Sequence, residues 1–188
     1  MYGLHCFPTS GTSYRRWDGD KFEIVYNMDL TRDEKLDIMS VFDLALSEVE
    51  YYEPKTYGDI FEDRGSQITF SALGQKAPCR AKKYWDPHVV KRLEIMRVMR
   101  PELPNFEIRS GGTTSIDVTR KGCDKSFAIS KIIKILGVSI DEMVFFGDAI
   151  HAGGNDYAVY EAGVLSIPVD NHIDCLWKMK QFPPFKDV

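Results

Sequence analysis

At 188 residues, the chain has the length of one domain or one and a half. It is 44% hydrophobic and 12% aromatic, enough to bury a real core, which excludes a disordered chain. A formal net charge of −4 argues against nucleic acid or an anionic membrane surface as the main partner, and no apolar run nears the ~20 residues that a membrane span needs.

The amino terminus lacks a charged segment followed by a long apolar one, so no signal peptide is read there. Cys6, Cys79, Cys123 and Cys175 show neither CxxC nor zinc spacing, and free thiols in a reducing cytoplasm are expected. The first 28 residues read as strands and tight turns, with a hairpin that pairs 14–17 with 21–26 across Asp18-Gly19-Asp20. Thr31 and Glu34 form a capping box that opens a helix with Leu36, Met39, Val41, Phe42 and Leu46 on its apolar side. Residues 64–73 alternate as a strand, with Ile68 and Phe70 on one face. Asp86-Pro87 starts a second helix whose stripe is Val89, Val90, Leu93, Met96 and Met99. Residues 106–109 and 114–118 are two more strands, joined by a Gly111-Gly112 turn. This stretch is an α+β module on an antiparallel sheet.

From Asp124 the pattern changes. Asp124 caps a helix with apolar face Phe127, Ile129, Ile132, Ile133, Ile135 and Leu136, ended by Gly137. Residues 143–146 are apolar on both faces, as in a buried parallel strand. A helix over 156–162 and a strand over 164–169 complete a parallel α/β unit, and 181–185 is an irregular tail tied down by its aromatics.

Two places carry chemistry. Asp148 follows the 143–146 strand and so stands at the carboxyl end of a parallel sheet, where open α/β folds hold ligands. Asp148, Asn155 and Asp156, with Gly153-Gly154 allowing a tight path, offer oxygens to a hard cation such as Mg²⁺; a polar loop with Asp156 as helix cap is the plain alternative. Lys125 sits at a helix amino terminus, the wrong end for a cation, which makes sense beside a bound anion; alone it reads as a solvated lysine.

The order lysine, helix, strand, acidic loop resembles the haloacid-dehalogenase superfamily. The run 111–118, Gly122-Cys123-Asp124-Lys125, and 145–148 with Gly153-Gly154-Asn155-Asp156 resemble the eukaryotic-type phosphomannomutase branch and its class IIB sugar-phosphatase relatives. The resemblance implies a partial parallel Rossmann-like core with an inserted α+β cap on an antiparallel sheet. Residues 1–28 would belong to the core with its hairpin, 29–121 to the cap, and 122–188 to the carboxyl half of the core. It also implies that Lys125 steadies the transferring phosphoryl group and that Asp148 ligates Mg²⁺, with Asn155 and Asp156 completing the metal and loop geometry. In the cap, Arg64, Lys82, Gly112, Ser115 and Asp117 would meet substrate. Gln75 and Lys82 stand where mutases of the branch carry arginines; Lys82 keeps charge without the bidentate fork and Gln75 keeps neither.

The superfamily's nucleophile lies in an Asp-x-Asp-Gly-Thr motif after an apolar strand, and these 188 residues contain none. Asp18-Gly19-Asp20 follows Tyr14-Arg15-Arg16-Trp17 and reads as a turn. Thr9-Ser10-Gly11-Thr12 also reads as a turn rather than as the superfamily's second motif. A chain that begins part-way into the fold is the simplest expectation, with exposed strand flanks that need a partner. The expected function is therefore a Mg²⁺-dependent phosphatase acting on a phosphosugar, cytoplasmic, inactive alone for want of its nucleophile. A hexose-phosphate mutase and a non-catalytic sugar-phosphate-binding module are the alternatives. The resemblance admits a homodimer formed through the cap.

Overall fold

A computed structural model of the protein describes residues 3–182. The chain forms two compact units, Met1–Cys123 and Asp124–Val188, each described here by itself. In the first, β1 (His5–Cys6), β2 (Ser13–Trp17) and β3 (Phe22–Asn27) make an antiparallel sheet in that order. The Asp18 carboxylate accepts the backbone N–H groups of Asp20 and Lys21 at 2.8 and 2.9 Å, so the 18–20 segment is the β2–β3 turn. Between β1 and β2, α1 (Pro8–Gly11) is one strained turn: Thr9 and Ser10 hold φ of 48° and 58°. Hydroxyl hydrogen bonds hold it in place. Thr12 and Thr9 meet Ser66 Oγ at 2.6 and 3.0 Å, and the Tyr26 hydroxyl donates to Gly11 O at 2.7 Å.

The rest of this unit is a helical layer on a sheet. α2 (Arg32–Glu48) opens on the expected capping box: Thr31 N donates to Glu34 Oε2 at 2.6 Å and Glu34 N to Thr31 Oγ1 at 3.2 Å. β4 (Phe61–Asp63), β5 (Gln67–Ser71), α3 (Cys79–Trp85), α4 (Val90–Glu102), β6 (Phe106–Gly111) and β7 (Ser115–Arg120) follow. The sheet order is β4-β5-β7-β6, antiparallel throughout. Ile68, Phe70, Ile108, Ile116 and Val118 pack against Ile38 and Phe42 of α2 and Ile95 and Met99 of α4. At roughly 25 cal/mol per Å² of apolar surface, this layer is the main source of stability in the unit.

Two helix faces depart from the sequence reading. Leu36 of α2 and Val90 and Leu93 of α4 are exposed, while Ile38, Ala45 and Arg92 are buried. In α4 the phase is set by Arg92, whose buried guanidinium turns that side of the first turn inward and Leu93 outward. The helix also starts at Val90 rather than at Pro87, because Val89 takes a left-handed φ of 62°. Asp86 still satisfies its amino end, accepting Lys91 N and Arg92 N at 3.2 Å each. The short β4 and α3 escape sequence reading because neither has enough residues to show a period.

In the second unit α5 (Lys125–Leu136) is capped by Asp124, whose carboxylate accepts Ser126 N and Phe127 N, and ends on Gly137 at φ 70°. β8 (Val144–Gly147) and β9 (Leu165–Pro168) pair in parallel, with α6 (Tyr157–Glu161) between them and α7 (His172–Met179) after. Ile129, Val159 and Val164 are its buried centre, with Phe145 packed on them. The 143–146 strand, expected to be buried on both faces, is only partly covered. Among the described residues β8 pairs with β9 alone, and Val144, Phe146 and Ile167 stay half-buried while Leu165 is exposed. Phe182 stacks edge-on against Phe146 at 5.5 Å, and the remainder of the expected tail lies outside the described residues.

Candidate active-site residues in the two units

In the second unit, β8 carries the chain to Gly147 and places Asp148 at the carboxyl end of the parallel pair. The loop then returns to Asp156, which is 1% exposed. One oxygen of Asp156 accepts Ala149 N at 3.0 Å, closing the loop on itself; the other pairs with Lys125 Nζ from the first turn of α5. Lys125 Nζ also reaches Asn155 Oδ1 at 3.5 Å and lies 5.9 Å from the Phe145 ring centre. Gly147 is required here: a Cβ on it would stand 2.5 Å from Asp156 Oδ2. Sequence reasoning sought a phosphate to explain a lysine at a helix amino terminus. A buried protein carboxylate already supplies that counter-charge.

Lys125, Phe145, Gly147, Asp148 and Asp156 line a cleft of about 310 Å³, together with Phe146, Asn171 and His172. Asn171 and His172 were missed in the sequence. Asn171 caps α7, its Oδ1 accepting Ile173 N and Asp174 N at 2.9 and 3.1 Å. An asparagine ahead of a short amphipathic run was the signal that would have found them. His151 is exposed on the loop, its Nδ1 3.2 Å from Ala152 O.

The donor set suits a cation unevenly. Asp148 is exposed at the strand end, and Asn155 is exposed with its amide oxygen near Lys125. Both fit a Mg²⁺ that keeps waters and phosphate oxygens in its shell. Asp156 fits less well as a direct ligand, since each of its oxygens already has a partner. Among the described residues no group of three or more His, Cys, Asp or Glu side chains stands close enough to cage a metal.

In the first unit, the sheet face away from the helices is polar. The strand register aligns Thr69, Asp117 and Arg109 in one row, Gln67, Thr119 and Glu107 in a second, and Ser71, Ser115 and Gly111 in a third. Thr69 donates to Asp117 Oδ1 at 2.7 Å and receives Gln67 Nε2 at 2.8 Å. Burial pushes the Asp117 carboxyl above its ordinary range; the Thr69 and Gln67 donors and nearby Arg64 act against this without reversing it. Gly111 makes the space, because a Cβ there would meet the Asp117 carboxylate. Ser115 Oγ lies 3.1 Å from Ser71 Oγ, which receives Gln75 Nε2 at 3.1 Å; Lys82 Nζ in turn donates to Gln75 O at 3.1 Å. Arg64 pairs with Glu62 at 2.7 Å, and Gly112 sits exposed at the turn with φ 45°. Thus Ser115 and Asp117 lie on β7, Arg64 in the β4–β5 turn and Gly112 in the β6–β7 turn of the same sheet, and Lys82 reaches Ser115 through Gln75 and Ser71.

The sequence model of the family described as eukaryotic phosphomannomutase matches residues 5–181. The chain is 30% identical to a phosphomannomutase of Saccharomyces cerevisiae over 135 residues, covering 68% of this chain and 51% of that protein. It is 32% identical to one of Encephalitozoon cuniculi over 136 residues, with the same 68% and 51% coverage. The chain therefore spans about half the length of the curated relatives it matches. An IMP-bound Plasmodium falciparum IMP-nucleotidase mutant superposes with a TM-score of 0.61 at 14% identity, covering 91% of this chain and 46% of that one, a likeness of fold. The expected architecture is thereby met: parallel α/β core elements and an α+β cap on an antiparallel sheet. Among the described residues no helix is long and apolar enough to cross a membrane. Because that family model matches residues 5–181, nearly the whole chain, the chain belongs to the eukaryotic phosphomannomutase family of the haloacid-dehalogenase superfamily.

Proposed function

We propose that the chain carries the lysine-and-cation part and the sugar-facing cap of a Mg²⁺-dependent phosphosugar phosphatase, without the nucleophile motif. The observation that carries this reading is the Lys125–Asp156 pair, which shares a cleft with the exposed Asp148 at a strand end. Asp148, assisted by Asn155, holds Mg²⁺, which when bound neutralises charge on the phosphoryl oxygens. Asp156 completes the site from behind: it fixes the Lys125 ammonium and, through Ala149 N, the loop that follows Asp148. Lys125 presents a partly exposed charge to a phosphoryl group. Ser115 and Asp117, with Arg64 at the sheet edge, receive sugar hydroxyls, the serine hydroxyl able to donate or accept and the carboxylate accepting.

No Asp-x-Asp-Gly-Thr is present in the 188 residues, and Asp18 is engaged as a turn former, so nucleophilic attack by an aspartate of this chain is not part of the reading. The chain alone is expected not to hydrolyse mannose 6-phosphate or p-nitrophenyl phosphate with Mg²⁺. Robust turnover, abolished by Asp148→Asn, would overturn that expectation.

A mutase is the second reading, favoured by the printed names of the relatives. Against it, Lys82 and Gln75 are engaged with each other and with Ser71, which leaves them poor holders of a distal phosphate. A full-length version supplied with a hexose bisphosphate separates the two: a phosphatase releases phosphate, whereas a mutase interconverts the 1- and 6-phosphates.

A further inference from the structure

The cap contains one buried ion pair that none of the proposed substrate contacts uses. Arg92 and Asp86 are 2% and 5% exposed. Arg92 Nε donates to Asp86 Oδ2 at 3.0 Å and one Nη to Asp86 O at 3.2 Å. The other Nη donates to two turn carbonyls, Gly111 O at 3.3 Å and Gly112 O at 3.0 Å. A buried ion pair is a weak stabiliser compared with well-packed apolar side chains, so its place here is better explained by the geometry it imposes.

That geometry is the β6–β7 turn. Ser115 is the first residue of β7 and is registered against Gly111 and Ser71; Asp117 lies two residues further along the same face. The turn is held from both sides, by the Arg92 fork on its glycine carbonyls and by Ala72 N, which donates to Thr114 O at 3.1 Å. Two adjoining glycines at a turn are free to move, and Gly112 has nothing within 4 Å of where a Cβ would stand. Without the fork, the small residues fix the turn poorly.

We infer that Arg92 is a positioning residue for the sugar-facing row: from the helical layer it clamps the Gly111–Gly112 turn and so sets Ser115 and Asp117. This rests on the reading of the polar sheet face as sugar-facing. Lysine would keep the charge but lose the planar fork that serves Asp86 and both carbonyls together.

The test uses the whole 188-residue chain, with mannose 6-phosphate as probe and amide NMR of Ser115 and Asp117 as readout. Met99→Ala, in the apolar core under the same sheet, is the control for lost stability. All measurements are made well below each variant's melting temperature. Arg92→Met should weaken binding by about tenfold or more and Arg92→Lys by less, while Met99→Ala stays within about twofold of wild type. Hydrogen exchange at the 112–115 amides should rise about tenfold in Arg92→Met and stay near wild type in Met99→Ala. If Arg92→Met fails to fold, Arg92→Lys carries both measurements. Unchanged affinity in the Arg92 variants, or an equal loss in Met99→Ala, would overturn the inference. Absence of any mannose 6-phosphate response in the wild type would instead sink the sugar-facing reading and the inference with it. In that case the exchange data still report whether Arg92 holds the turn.

Discussion

Replacing either member of the Lys125–Asp156 pair tests the core of the candidate site, and the two replacements differ in severity. Asp156 is 1% exposed, whereas the Lys125 side chain keeps 34% of its surface accessible. In Lys125→Met a carboxylate is left buried with only Ala149 N to satisfy it, and breaking a buried pair in this sense costs about 3–5 kcal/mol. In Asp156→Asn the stranded charge is the lysine, which can rehydrate, and the asparagine oxygen can still accept Ala149 N. A cost of about 1–2 kcal/mol is expected. Trp177 is the tryptophan of the second unit, so urea unfolding of a Trp17→Phe/Trp85→Phe background reads that unit by fluorescence. With a slope near 1 kcal/mol/M for a unit this small, the midpoint should fall by roughly 3–5 M in Lys125→Met and roughly 1–2 M in Asp156→Asn. Equal shifts, or a larger one for Asp156→Asn, would refute the view that the carboxylate is the buried partner and the lysine the exposed one.

Other outcomes follow from single contacts. Asp148→Asn should abolish the calorimetric heat of Mg²⁺ binding while Asp156→Asn only weakens it; equal loss would make Asp156 a direct ligand. The Arg120 hydrogen bonds hold the Glu34 carboxyl down to about 2 from 4.5. A depressed carboxyl contributes stability that is present above pH 4.5 and lost as pH falls through about 2. Full linkage would give about 3 kcal/mol, and with side chains 27% and 31% exposed, about 1–2 kcal/mol is expected. Arg120→Met should therefore flatten the acid-side fall in melting temperature, and an unchanged profile would remove Glu34 from the account. Gly111→Ala should cost about 1–3 kcal/mol by thermal melting, because its methyl competes with the Asp117 carboxylate, and Gly111→Ala/Asp117→Ala should recover part of that.

Sequence legibility tracked the range of each interaction. The Thr31 capping box, the Asp18 turn and the Asp124 cap were readable because each is a contact within about three residues. The phase of α4 was not, because it depends on Arg92 reaching Gly111 and Gly112, about 20 positions away. Val90 and Leu93 looked like core by periodicity and lie outside, while the residue that decides the phase is charged. The same limit hid Asn171 and His172, which reach the cleft only once β9 has been laid beside β8.

In the loop 148–156, folding separates oxygen-bearing residues that composition groups together. Three oxygen-bearing residues in nine positions read as one ligand set. Folding separates them by burial: Asp148 faces solvent at the strand end, whereas Asp156 turns under Gly147 into a position that a side chain at 147 would occupy. A carboxylate with both oxygens engaged at 1% exposure is a fixed charge, and it orders a lysine and a loop. Asp148, left outside, is the residue able to exchange water for a cation. If the site carries chemistry, charge placement is built by Asp156 and Lys125, and ligand exchange is confined to Asp148 and Asn155.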